Sequence, residues 1–276
     1  MKNVDLHVDE GIVLSVARLR GTMISTRSGP PVFDDQSSFV LRVATGRVAM
    51  DMRSLGNLIN RHALAYKGAP LSDVSVRAEG GRLALKGKLH KGLTVPFSAK
   101  VSVGCTDDGR IQLHTESMKA IGIPTKGLLD LFGLELDDLV DLKERRGLDV
   151  RDNDIIIAPG QVLPSPEIQG RITRVAVERD RIVQTFESGE QPRALARPSP
   201  SARNYMYFGG GEIRFGKLTM HDTDLQLIDS DPKDAFDFYP KKYNQQLVAG
   251  YSKNTPALGL KTYMPDFNDL RGMAKR

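Results

Sequence analysis

Apolar and polar positions alternate with a period of two through most of the first 187 residues, which predicts strand after strand. Val4–Val8 turns at Asp9-Glu10-Gly11 into Ile12–Thr26. There Ile12, Leu14 and Val16 share one face while Leu19 and Met23 take the opposite parity, a switch that predicts a bulge or twist near Arg18. Phe39, Leu41 and Val43 alternate, Thr45-Gly46 predicts a turn, and Val48 and Met50 resume the pattern. Val74, Val76 and Ala78 lead through Gly80-Gly81 to Leu83, Leu85 and Leu89. The longest unbroken alternation runs through Leu93, Val95, Phe97, Ala99, Val101 and Val103, with Pro96 on the polar side marking an edge or a bend. Asp107-Asp108-Gly109 then turns into Ile111, Leu113 and Thr115. Two further hairpins are predicted, with turns at Asp152-Asn153 and Arg179-Asp180.

The period changes to 3.6 in two places. Asp51 is positioned to cap a helix running to about Ala65, in which Leu55, Leu58, Ile59 and His62 fall on one face. Thr125 caps a second apolar stretch through Leu142, where Leu128, Leu131, Phe132, Leu136 and Leu139 form a face that Leu129, Leu134 and Val140 widen; Gly133 is a point at which it can divide into two short helices. A helix so apolar needs cover on most sides or a greasy ligand to share.

Residues 188–203 are rich in Pro, Ser and Arg and read as a linker. After them, Tyr205–Phe208, Glu212–Phe215 and Lys217–Ile228 predict a three-strand unit around Gly209-Gly210-Gly211, followed by a short helix near Tyr243–Tyr251 and an irregular tail. The expected organisation is therefore a domain over 1–187, a linker over 188–203 and a small β-rich unit over 204–276. The fold class expected is α+β, with a curved antiparallel sheet wrapping two apolar helices.

Charge and candidate chemistry narrow the function classes. The net charge is +5, but residues 1–187 hold 26 Lys/Arg against 24 Asp/Glu and the remainder 13 against 10. No basic run interleaves with aromatic residues, so nucleic acid is not an expected partner. The single Cys105 excludes an intrachain disulfide and a multi-cysteine metal site. Asp222, Asp224, Asp229, Asp231, Asp234 and Asp237 lack the spacing of a calcium loop and read as an exposed acidic loop. His7, His62, His90, His114 and His221 form no zinc pair, and His62 reads as a packed or capping residue rather than a base. The triple glycine lacks the Lys-Ser/Thr of a phosphate loop. Neither enzymatic activity nor a cofactor or metal is expected. No apolar run reaches the roughly 18 residues of a membrane span. Met1 leads almost directly into a strand, which raises the expectation of an upstream signal or anchor segment.

The segments KGLTVPFSAKVSV, DGRIQLHTESMKAIGIPTKGLLDLFG and LPSPEIQGRITRVAVERDRIVQTF resemble the LmeA-like phospholipid-binding family of bacterial envelopes. That family is similar to the tubular lipid-binding superfamily, in which curved antiparallel sheet wraps a long helix around a hydrophobic groove. The likeness covers residues 1–187 and implies a lipid-binding protein of the periplasm or cell envelope. It carries no catalytic residues. Together with the apolar patterning it leads to one expectation: a phospholipid or other acyl-chain lipid held by Leu55, Leu58, Ile59, Phe97, Val101, Leu128, Leu131, Phe132 and Leu136, with a membrane surface as a further partner. A scaffold with a filled core that binds a partner protein is the alternative.

Overall fold

The computed structural model describes residues 1–91, 93–121, 147–189 and 196–273. The apolar stretch 125–142, with the expected lipid contacts Leu128, Leu131, Phe132 and Leu136, lies outside the described residues. What is described is β-rich α+β, its strand pairs mostly antiparallel. The chain divides into two compact units, and neither is contiguous: the first combines 1–48, 165–167 and 187–276, the second 49–164 and 168–186. This corrects the expected boundary at 188–203, because the strands beyond it complete a sheet begun by the first residues of the chain.

The first unit is built on β1 (Lys2–Asp9), β2 (Ile12–Ser25) and β3 (Phe39–Asp51), followed after the second unit by β13 (Tyr205–Gly209), β14 (Glu212–Phe215), β15 (Leu218–His221), β16 (Asp224–Asp229), β17 (Phe236–Phe238), β18 (Tyr251–Asn254) and β19 (Leu260–Met264). The order is β3-β2-β1-β13-β16-β19-β18, with β17 also paired to β1 and β14–β15 forming a separate hairpin. The expected hairpin turn at Glu10-Gly11 is present, with Gly11 at φ +68°. Burial passes from Ile12, Leu14 and Val16 to Leu19, so the predicted change of parity near Arg18 is real. Thr45-Gly46 is not a turn; β3 runs straight through it. Gly21 explains how β2 and β3 approach, since a Cβ there would sit 2.3 Å from the Arg42 carbonyl oxygen. The pairings that sequence periodicity does not encode are parallel ones: Val4, Asp5 and Leu6 lie beside Phe236, Asp237 and Phe238, and Leu225–Asp229 beside Leu260–Met264. Phe33 stacks on Phe215 at 4.2 Å and meets Phe208, Phe238 and Tyr243 edge-on or tilted, which closes an aromatic core. The triple glycine ends β13 rather than turning a hairpin. Gly210 and Gly211 at φ +75° and +62° let the chain leave the sheet for β14–β15, with Gly210 N–H donating to Thr223.

The second unit holds β4 (Leu71–Glu79), β5 (Arg82–Lys91), β6 (Leu93–Cys105), β7 (Ile111–Ala120), β8 (Leu148–Arg151) and β9 (Asp154–Ile157), in the order β4-β5-β6-β7-β9-β8. The hairpin β11 (Ile172–Glu178) with β12 (Arg181–Glu187) also belongs here, and β10 (Glu167–Gln169) precedes it. The turns are those the sequence predicts: Gly80-Gly81 at φ +57° and +78°, Asp152 at +52° and Arg179 at +56°. Helix α1 (Met52–Leu58) is capped by Asp51, whose carboxylate accepts from Ser54 N–H at 2.7 Å. Expected to reach Ala65, it instead opens into a π-helical turn at Ile59–Ala63. The cause is local. A bulge at Asp73 (φ +53°) frees backbone groups of β4, and Asn60 takes them up, donating to Val74 C=O at 2.7 Å and accepting from Val74 N–H at 2.9 Å. Asn60 also donates to Gly56 C=O at 2.8 Å, so the π turn and the bulge hold one another. Among the described residues the further short α-helices are α2 (Pro159–Val162) in this unit and α3 (Tyr243–Ala249) and α4 (Phe267–Met273) in the first.

Asp51→Ala should destabilise the second unit by about 1 kcal/mol while Asp51→Asn retains most of that stability, as read from the denaturant midpoint of unfolding. Equal midpoints for the two variants would remove the cap from this account.

Candidate functional site

In the second unit the strand register gathers one aliphatic face. Val76, Leu85, Ala99 and Met118 lie in a row across four strands, as do Ala78, Leu83, Val101 and Thr115. A third row, Val103, Leu113, Ile155 and Val150, continues onto β9 and β8. The alternation is not unbroken across the pair: a bulge between Lys100 and Val101 admits the extra residue Glu116 on β7. Met52 of α1 belongs to the buried centre of this face, and Leu55 and Ile59 pack at its margin. Phe97 is 2% exposed and lies opposite Gly87, where a Cβ would come within 3.0 Å of its ring and 2.9 Å of the Ser72 carbonyl oxygen. The glycine therefore makes the room that the ring fills.

Of the expected lipid contacts, Phe97 and Val101 lie in this buried cluster and Leu55 and Ile59 are partly buried against it. Leu58 is buried. Packed against the buried centre are aliphatic side chains that stay partly accessible, a margin that includes Leu64, Leu71, Leu113, Leu148 and Ile155. The sequence reading missed this margin because short strands such as β8 and β9 show their face only once their partner is known.

The first unit holds a polar centre. His7 Nε2 bonds to Asp237 Oδ1 in a close contact, its ring stacked on Tyr239 at 5.3 Å and edge-on to Phe267 at 5.6 Å. Asp237 Oδ2 accepts from Asn268 N–H at 3.1 Å, and Asp237 N–H donates to Asp266 Oδ1 at 2.7 Å. Gln246, fully buried, donates to the carbonyls of Asp237 and Pro265 and accepts from Tyr239 N–H. Beside them Asn204 donates to Asp229 Oδ2 at 2.8 Å and accepts from Asn3 at 2.7 Å. Asp229 and Asp237 are thus buried and hydrogen-bonded, which corrects the expectation that the aspartates over 222–237 form a wholly exposed loop. Burial raises the Asp266 pKa to about 7, with Asp229, Asp234 and Asp237 adding repulsion. Burial likewise raises Asp229 and lifts Tyr207, which donates to Asp224, to about 12.

This arrangement ties His7 to the Asp237 carboxylate and Asp266 to the Asp237 backbone amide. Its bonds also join β1, β17, α3 and α4. No Ser, Thr or Cys side chain is bonded to His7 among the described residues. Nor do three His, Cys, Asp or Glu side chains there converge as metal ligands. His62 sits in the π-helical turn, in its last residues. Comparison with protein-family models, with curated proteins and with solved structures finds no match to the chain.

A carboxyl whose folded pKa lies above its unfolded value near 3.8 contributes stability at low pH that is lost as pH rises through the folded value. Asp266 should therefore make the first unit less stable as pH climbs from about 4 to about 7. Asp266→Asn keeps an acceptor for Asp237 N–H and should flatten that slope, with its advantage over the parent chain largest above pH 7. Melting temperatures at half-unit intervals check this; parallel curves would dismiss Asp266 as the titrating group.

Proposed function

We propose that the chain binds a phospholipid or other acyl-chain lipid without catalysing a reaction, through the aliphatic face of the second unit, in a bacterial envelope setting. The observation that carries this reading is the margin of partly accessible Leu, Ile and Val around the buried cluster on one sheet face. Such a surface suits methylene groups, each worth about 0.8 kcal/mol when removed from water, and asks for no particular polar partner. The resemblance of residues 1–187 to a phospholipid-binding family points the same way. Among the described residues no helix is long and apolar enough to cross a membrane.

A second reading is a scaffold whose apolar face is filled internally and whose edges bind a partner protein. It draws support from the burial of Phe97 and Val101 in a closed cluster. The two readings separate at the margin. Native mass spectrometry of the gently extracted chain should show adducts of phospholipid mass, and a lipid-free protein that also refuses labelled phospholipid defeats the lipid reading. Ile59→Trp should lower phospholipid uptake severalfold with little change in melting temperature. If instead it destabilises by roughly 1–3 kcal/mol through overpacking, and the folded fraction takes up lipid as before, Ile59 is core and the scaffold reading gains. Phe97→Ala is expected to cost about 3–5 kcal/mol under either reading.

A further inference from the structure

Exposed apolar side chains are concentrated in one short stretch of the described residues. Of the six large hydrophobic residues that are well exposed among the described residues, Leu247, Val248, Tyr251 and Leu258 fall within twelve positions of the first unit. They belong to the end of α3 and to the hairpin β18–β19, whose outer strand is the edge of its sheet. Gly250 joins the two closely: a Cβ there would lie 2.0 Å from the Tyr263 carbonyl oxygen, so the helix end abuts β19.

Register gives the hairpin a distinct face. Tyr251 lies opposite Tyr263 and Lys253 opposite Lys261, so two tyrosines and two lysines form a square on one side. The tyrosine rings stack at 4.8 Å, and Lys253 Nζ sits 5.4 Å from the Tyr251 ring centre. Residues 238–265 contain four lysines and no carboxylate. Lys241 pairs with Asp9, and Lys242 lies over Tyr239 and Phe267, but Lys253 and Lys261 make no ion pair among the described residues. The nearest carboxylate on the neighbouring strand, Asp224, accepts from the Tyr207 hydroxyl at 3.0 Å.

Lysines on an edge strand also deter strand addition, and that alone would account for Lys253. It does not account for the apolar ends. Leu258 is 90% exposed and Val248 86%. Leu258 also holds φ +63°, a backbone region that costs a branched side chain and that Gly or Asn would occupy freely. A leucine kept at the tip of a turn, bare to water and in an unfavourable conformation, needs a partner that rewards it.

We propose that the β18–β19 hairpin and the end of α3 form a docking surface for an anionic lipid bilayer. Leu258 and Val248 insert at the headgroup boundary, the stacked tyrosines sit at the interface as amphipathic rings do, and Lys253 and Lys261 meet the lipid phosphates. The four lysines of 238–265, against the single carboxylate Asp224 at the Gly259 turn, select the anionic surface over a second copy of the same basic hairpin, which would repel. Exposed aliphatic anchors select a bilayer over nucleic acid, which uses aromatic stacking and cations but not leucine. The surface belongs to the first unit and does not depend on the aliphatic sheet face carrying lipid.

The test is flotation of the full chain with vesicles of phosphatidylcholine containing one third phosphatidylglycerol, against vesicles of phosphatidylcholine alone. The parent chain should float with the anionic vesicles and lose them as salt is raised. Lys253→Gln and Lys261→Gln should each weaken that binding on the order of fivefold, and Val248→Ser with Leu258→Asn should weaken it at least tenfold at any salt concentration. Val248, Lys253 and Leu258 are exposed and Lys261 half-exposed, and Leu258→Asn relieves the backbone, so melting temperatures should hold or rise. The proposal fails if the parent chain ignores anionic vesicles, or if the folded variants bind them as the parent does. It fails equally if light scattering shows a dimer that the Val248/Leu258 variant dissolves while vesicles are ignored. Uptake of a labelled monomeric phospholipid, measured without vesicles, should be unchanged in every hairpin variant. Its loss in the parent chain would count against the sheet-face reading alone.

Discussion

The first unit depends on one pairing that spans almost the whole chain. Val4, Asp5 and Leu6 lie parallel to Phe236, Asp237 and Phe238, and both phenylalanines are completely buried. His7 and Asp237, 230 positions apart, seal the same junction. Closing so long a loop is costly in chain entropy, although the cost grows only slowly with length. Two buried aromatic side chains and the His7–Asp237 hydrogen bond are what offset it. Because β17 is only three residues long, its ladder alone is a weak tie. Gln246 reinforces it from α3 by holding the Asp237 and Pro265 carbonyls, and Asp266 holds the Asp237 amide. Removing one member leaves buried polar groups unsatisfied, at about 1–3 kcal/mol apiece. The polar centre is therefore the fastening of the unit, and burial there raises the Asp266 pKa.

What was legible in the sequence is what neighbouring residues decide. Asp51 announced a helix start, and Gly80-Gly81, Asp152-Asn153 and Arg179-Asp180 announced turns, because each rests on the local preference of one or two side chains. The change of parity after Val16 was equally visible. Asn60 was not read as a clamp, since its partners sit fourteen residues on, at a bulge that leaves no mark in the hydrophobic pattern. Thr45-Gly46 misled for the opposite reason: a glycine that eases strand packing looks the same in sequence as one that turns the chain. The domain division was hidden because alternation says that a strand has a buried face but not which strand lies beside it. The aspartates of 222–237 misled in the same way, for charge spacing cannot reveal that Asn204 and Asp231 N–H wait to bond Asp229.

The aliphatic face of the second unit shows how packing and accessibility can share one sheet. Its centre is closed by complementarity between large and absent side chains, the Phe97 ring over Gly87 being the sharpest instance. Around it Leu64, Leu71, Leu113, Leu148 and Ile155 are only partly buried. The dense centre gives the face stiffness, and apolar contact at the margin costs no desolvation of polar groups. The lipid proposed for this face would meet side chains that also belong to the unit's packing, with no single residue indispensable.

The β18–β19 edge raises the opposite problem, exposure without cover. Four exposed residues are short enough to be a poor template for another strand, and Lys253 makes strand addition costlier still. Those features keep the edge from pairing, yet they leave Leu258 and Val248 in water, where they contribute nothing to folding. A glycine in place of Leu258 would satisfy the same backbone more cheaply. The hairpin thus combines protection against one kind of partner with apolar ends that favour another. The proposed bilayer would meet both conditions: it offers no strand to add and takes up exposed leucine and valine beside lysine.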